Sequence, residues 1–410
     1  MTCYLTISLL FTEAKREDVK PKETKPLCDF SNRRSNLCDM YGDIRIHGKS
    51  ASVVSVTSPQ PEDSSQRNES WQIRPYARKT DLGAMSGVRE FTVRSSNGYE
   101  HPPRCTVNHS VPAVIFSVAG YTGNFFHDFT DVLVPLFLTT YQFNGEVQFL
   151  VTNFRLWWLN KYRPIINGLS KYELIDLDKD DRVHCFQHAV VGLNSHDDLK
   201  IDTRRSPNGY SMVDFTKFLR TAYSLPRGSP LTISKHPLKK PRLLIVARSR
   251  TRRFTNLNKI VKMAKKSGYE VIVGEAESNV THFAHIVNTC DVMMGVHGAG
   301  LTNFVFLPTN AILIQIVPWG RLDWIARAYF DEPAKGVKLR YLEYRISVDE
   351  STLAELYPRD HPVLKDPLSS VHRFGWDSVR ETYLVKQNVK LNVKRFRPVL
   401  LKALELLHEQ

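Results

Sequence analysis

Two loops rich in arginine and glycine carry the clearest chemistry in this chain. Residues 248–253 read Arg-Ser-Arg-Thr-Arg-Arg and follow directly on the apolar run 243–247. Guanidinium groups pair bidentately with phosphate oxygens, so Arg248 and Arg252 are candidate ligands of a diphosphate. A solvated basic loop or a nucleic-acid contact is the alternative. Residues 295–300 read Gly-Val-His-Gly-Ala-Gly and are followed by Leu301, Thr302 and Asn303. Glycines let the backbone approach a ligand, and a helix starting near Gly300 would offer free N–H groups to a phosphate. The candidate donors are His297, Gly298, Ala299, Gly300 and Leu301, with Asn303 and Gln315 placed to touch the same ligand. A tight turn that needs glycine only for its conformation is the other reading. The glycine order is neither Gly-x-Gly-x-x-Gly nor that of a Walker loop.

A third group is His127 and Asp131, four residues apart and therefore on one helical face. Such a pair can act as an oriented general base, with Asp131 as orienter or as the base itself. A capping histidine above an acidic turn is the plain alternative. Asp176, Asp178 and Asp180 form an acidic run that either holds a metal or is a solvated turn. No zinc-ligand spacing and no nucleophile elbow occurs, and no metal is expected.

The elements that must position these groups follow from periodicity. Apolar runs at 113–119 and 147–152 read as buried strands, each followed by a helical pattern, at 124–143 and 156–168. Four prolines within 16 residues, from Pro226 to Pro241, mark a linker. Beyond it, strands at 243–247, 270–273, 291–296 and 311–317 alternate with helices at 256–268 and 281–289, and an amphipathic helix at 391–408 ends the chain. Uninterrupted apolar strands joined by helices imply a parallel sheet covered on both faces. The expected class is α/β, with two Rossmann-like domains facing a cleft. The expected divisions are 1–24 as leader or stem, 25–110 as an irregular cap and loop, and 111–235 and 236–410 as the two Rossmann-like domains. Ligands bind beyond the carboxyl ends of such strands, which is where both loops lie.

The 410 residues include 56 Lys+Arg against 42 Asp+Glu, a formal charge of +14. That surplus implies an anionic partner. The Arg248–Arg253 cluster sits at a strand end rather than along a stripe, and RNA-binding aromatic signatures are absent. Both argue against nucleic acid. Three sequons, at Asn68, Asn108 and Asn279, and six cysteines fit a lumenal protein. Cys28 and Cys38 flank a turn-like stretch that suits a small disulfide loop. Cys185 and Cys290 read equally well as buried small hydrophobes. The apolar stretch 4–11 is too short for a membrane anchor and lacks a signal peptide's basic start.

Several of these residues recur together in a known family. Cys28-Asp-Phe-Ser, Gly123-Asn-Phe-Phe-His127, Arg248 and Arg252 with Phe254 and Asn256, Val296-His-Gly-Ala-Gly-Leu-Thr-Asn303, Gln315-Ile-Val-Pro318 and Tyr357-Pro-x-Asp360-His-Pro resemble plant glycosyltransferase family 61 over roughly residues 25–408. The resemblance implies a GT-B fold, with 111–235 as its acceptor-side domain and 236–410 as its nucleotide-sugar-binding domain. It implies a UDP-sugar donor without a required cofactor, inversion at the anomeric carbon and a xylan acceptor. It also implies a Golgi-lumen location on a single N-terminal anchor, which stretch 4–11 does not supply. The donor implied is a UDP-pentose, arabinofuranose or xylose. An N-glycan core is the second acceptor class. A non-catalytic binder of acidic polymers on a degenerate GT-B body is the reading from another class. Trp157, Trp158 and Tyr162 are candidates to stack on an acceptor sugar, with core packing expected for at least two of them.

Overall fold

The computed structural model describes residues 27–56, 69–96, 102–275 and 279–408. The sequon at Asn68, the stretch 4–11 and the leader 1–24 lie outside them. The class is α/β, with two sheets.

The second sheet is the simpler. Its strands, numbered by their place in the whole chain, are β11 (Arg242–Ala247), β12 (Glu270–Glu275), β13 (Val292–Val296), β14 (Ile312–Val317) and β15 (Arg340–Arg345). All are parallel, in the order β12-β11-β13-β14-β15. β13 and β14 are buried at every position, as expected for strands covered on both faces. The first crossover runs one way from β11 and the next runs the other. The order therefore reverses between β11 and β13, and a crevice opens at their carboxyl ends. The arginine loop leaves β11 and the glycine loop leaves β13, so both loops flank that crevice.

The first sheet has ten strands and mixed directions. Its parallel centre is β7 (Ala113–Ser117), β8 (Gln148–Thr152), β9 (Ile175–Asp176) and β10 (Val183–Val191), with β10 pairing β7 and β7 pairing β8. Within 25–110, expected as an irregular cap, the described residues instead extend this sheet. β2 (Leu37–His47) pairs antiparallel with β10, and β3 (Ser52–Val56), β5 (Phe91–Ser96) and β4 (Ser70–Ile73) follow outward. β1 (Cys28–Asp29) joins β2 and β6 (Val107–Asn108) joins β10. The alternating burial of β2 is that of a sheet solvated on one side.

Two disulfides close this region. Cys28–Cys38 is the expected small loop, and Cys105–Cys185 ties the segment before β6 to β10. Cys290 is free and buried, and burial pushes its thiol up to about 11, so it behaves as a small hydrophobe.

The two halves share one apolar cluster. Phe129 of the first packs against Phe306 of the second at a 6.0 Å ring separation, and Phe126 meets Tyr329 at 5.1 Å and Phe330 at 6.3 Å. The proline-rich stretch is docked rather than loose. Arg227 pairs with the buried Asp291 at 2.6 Å, and Leu231 N–H donates to the same carboxylate.

Candidate active site

The glycine loop is shaped around two guanidinium groups. Gly298 has φ +145°, and a Cβ there would lie 2.6 Å from Nη1 of Arg252 and 3.0 Å from Nη1 of Arg248. Only glycine tolerates both that conformation and that proximity. Gly298→Ala is expected to destabilise the fold by about 1–3 kcal/mol through backbone strain, read as a lower urea midpoint.

The four arginines of the loop divide in two. Arg248 and Arg252 are half-buried against Gly298, whereas Arg250 and Arg253 are exposed. Arg248 Nε donates to Thr251 O at 2.8 Å, and Arg252 Nη1 donates to His297 O at 2.8 Å. Arg252 Nε is buried without a partner. Among the described residues no carboxylate forms an ion pair with either side chain. Burial and the neighbouring Arg248 charge press the Arg252 pKa down to about 9. Two adjacent, poorly compensated cations at a strand-end crevice are an arrangement that attracts an anion.

His297 is buried beneath this pair. Gln315 Nε2 donates to its Nδ1 at 2.7 Å, and Gln315 Oε1 in turn accepts from the Tyr341 hydroxyl at 2.6 Å. The ring proton therefore sits on Nε2. Burial and the two arginines lower the His297 pKa to about 3, so the ring is neutral. Asn303 Nδ2 donates to Gly300 O at 2.9 Å. Asn303 and Gln315, expected to touch the ligand, thus bond within the loop and hold its shape. The Leu301 amide also closes onto Gly298 O, and Gly298 and Gly300 are the glycines of the loop that lie beside the arginines.

In the first half, Asn124 caps the helix by accepting from Phe126 N–H at 3.1 Å. The helix runs through Phe125–His127, a π turn at Asp128–Leu133 and Val134–Thr140. Such wide turns recur at functional sites. Asp128 faces inward and accepts from Trp158 Nε1 (2.7 Å), the Tyr162 hydroxyl (2.6 Å) and Gly123 N–H (2.7 Å). Trp158 and Tyr162 are fully buried, as core packing required, while Trp157 is exposed.

His127 and Asp131 meet across the turn, Nδ1 to Oδ2 at 3.0 Å. Asp131 is wholly buried and crowded with donors. It accepts from Arg78 Nε at 3.1 and 2.9 Å, Arg34 Nη2 at 3.3 Å and the Tyr76 hydroxyl at 2.9 Å. Burial opposes its ionisation, but the His127 bond and the Arg78 charge prevail and hold the carboxyl below its usual range. An ionised Asp131 accepts a hydrogen bond from Nδ1–H, which leaves the lone pair of neutral His127 on Nε2. That fits Asp131 as orienter rather than as base. Tyr121, 4.8 Å from the His127 ring, is partly exposed beside it.

The two groups adjoin. The Phe125–His127 turn packs on the helix Ala299–Phe306 that follows the glycine loop, and Phe330 touches both Phe126 and, at 5.2 Å, His297. Arg34, Tyr76, Arg78 and Tyr121 were not legible as site residues, because they lie 97, 55 and 53 positions from Asp131 for the first three and carry no local pattern. The acidic run is spent elsewhere. Asp178 binds Arg89 and Thr152, and Asp180 binds Arg182. Among the described residues no cluster of three metal-ligating side chains occurs.

The glycosyltransferase 61 model matches residues 125–314, a span that holds both loops and the His127 turn. An alpha-1,3-arabinosyltransferase of Oryza sativa subsp. japonica is 56% identical over 387 residues, 94% of this chain and 66% of that protein. A second alpha-1,3-arabinosyltransferase of the same organism is 52% identical over 403 residues, 96% of this chain and 68% of its own length. A beta-1,2-xylosyltransferase of that organism is 47% identical over 392 residues, 93% of this chain and 84% of its own. The chain thus spans about two thirds of the length of the two arabinosyltransferases.

Proposed function

The chain belongs to the glycosyltransferase 61 family, and from that premise we propose that it moves a pentose from a UDP-sugar to xylan with inversion. The observation that carries this reading is the half-buried Arg248–Arg252 pair around Gly298, packed next to an oriented histidine. The relatives' names supply the pentose, and the xylan acceptor is the one the family resemblance implies.

In this reading the two sheets are the halves of a GT-B body. The donor diphosphate lies at the β11/β13 crevice, on Arg248, Arg252 and the amides of Gly298 to Gly300. An acceptor hydroxyl attacks C1 of the pentose while the C1–O bond to the diphosphate breaks. The bond's electron pair leaves with UDP, whose growing charge meets the two guanidinium groups. The hydroxyl proton passes to Nε2 of His127, and Asp131 stabilises the imidazolium. Tyr121, beside His127, and Trp157, against Gly123, offer exposed ring faces for an acceptor sugar.

The two disulfides support an oxidising lumen, in keeping with the family's Golgi location. Among the described residues no helix is long and apolar enough to cross a membrane. Asn108 and Asn279 are exposed and are the proposed glycan acceptors, together with Asn68.

The protein should be incubated with UDP-xylose or UDP-arabinofuranose and xylo-oligosaccharides, with and without EDTA, and the products followed by mass. Gain of one pentose, insensitive to EDTA, is expected. No pentose addition from either donor would reject the reading.

A further inference from the structure

We infer that the loop closed by Cys28–Cys38 is a working part of this site, carrying Arg34 as a positioning residue that holds Asp131 and, through it, the His127 ring. The inference rests on the reading of His127 as the base.

The loop begins and ends in the two-residue pairing Cys28↔Cys38 and Asp29↔Leu37, and the disulfide locks that pairing. Between them the chain has no regular element to stiffen it. It is docked instead by polar contacts. Asn32 Nδ2 donates to Ser195 O at 2.8 Å, Lys79 N–H donates to Arg34 O at 2.9 Å, and Lys79 Nζ donates to Phe30 O at 2.6 Å. Arg34 itself is 9% exposed. Its Nη2 bridges Asp131 at 3.3 Å and Asp198 at 2.9 Å. Arg78 bridges the same two carboxylates, at 2.9 and 3.2 Å.

Two arginines thus neutralise two aspartates behind His127. Immobilising a long side chain in a buried place costs rotamer entropy, and a cross-linked loop loses less freedom on folding than an open one. The clamp is therefore suited to deliver Arg34. Removing Arg34 leaves two carboxylates facing one guanidinium. The ring meets Asp131 on its own helix and Tyr121 from the preceding turn, and Asp131 in turn holds Tyr76 and Arg78 from the segment before β5, with Asp198 behind Arg78 and Tyr329 of the second half against the neighbouring Phe126. The added negative potential favours the imidazolium, so the ring protonates at higher pH.

The variants are R34A, R34K and C28S/C38S, each checked for UDP binding by calorimetry. R34A is expected to lower kcat about tenfold or more with acceptor KM and UDP affinity little changed. It should also move the acid limb of the kcat/KM profile to higher pH. R34K, which keeps the charge, should restore that limb. C28S/C38S should lower kcat in the wild-type background and add less than about twofold in R34A, because the two act on one contact. NMR titration of the His127 ring in wild type and R34A needs no substrate, so it tests the positioning even if no pentose is transferred. An unmoved His127 midpoint in R34A, or full additivity of R34A with C28S/C38S, would overturn the inference. Should C28S/C38S fail to bind UDP, the R34A titration alone decides.

Discussion

Replacing His127 with alanine is expected to lower pentose transfer by about 10²- to 10⁴-fold, the usual contribution of a positioned general base, while UDP affinity stays unchanged. The magnitude follows from what surrounds the ring. Asp131 cannot take over as base, since it is fully buried and already accepts from Arg34, Tyr76 and Arg78 as well as His127. Its neighbour Asp128 is also buried and is saturated by Trp158, Tyr162 and Gly123. His297 cannot serve either. It is neutral, but its Nδ1 is occupied by Gln315 and its Nε2 carries the proton. Steady-state turnover together with UDP calorimetry checks the prediction. Near-normal turnover in H127A would remove the base assignment.

The second large effect is at the other half of the site. Arg252→Ala is expected to weaken UDP binding by roughly 10- to 100-fold, equivalent to about 1.5–3 kcal/mol for a charge-assisted contact. Arg252 is held ready rather than free to search. Its φ of +55°, its backbone N–H bonded to Gln387 O and its Nη1 bonded to His297 O fix the guanidinium beside Gly298. Binding therefore costs little further ordering. Lysine cannot reproduce the fork, so Arg252→Lys should recover only part of the loss. Arg253→Ala, at an exposed position one residue on, should change UDP affinity by no more than about 0.5 kcal/mol, as surface substitutions usually do. Equal losses in R252A and R253A would mean that the loop acts by diffuse charge and not as a built site.

The two halves differed in how far local pattern revealed them. The second sheet was legible because its strands are continuous apolar runs and its two loops bear unusual residues at strand ends. The split of the arginines, with Arg248 and Arg252 inward and Arg250 and Arg253 outward, needed the backbone turn at Arg252. In the first half, β7, β8 and the His127 helix could be read from periodicity. β2 to β5 could not, since they are short or half-polar runs among turns, and β10, the partner that joins β2 to the sheet centre, is distant in sequence. The same distance hid Arg34 and Arg78. A buried carboxylate can draw its partners from anywhere in the chain, and no local spacing marks them. The +14 charge is clarified in the same way. Arg248 and Arg252 face the proposed diphosphate, Arg34 and Arg78 are consumed by Asp131 and Asp198, and Lys239 and Lys240 are exposed at the opposite strand end.

In the proposed reading, a single oriented base and a diphosphate held on arginines commit the reaction to one displacement at C1. The configuration of the product is therefore the most direct measurement. NMR of the pentosylated xylo-oligosaccharide should show a β linkage when the donor is UDP-α-xylose. An α-linked product would contradict the single displacement and the role given to His127.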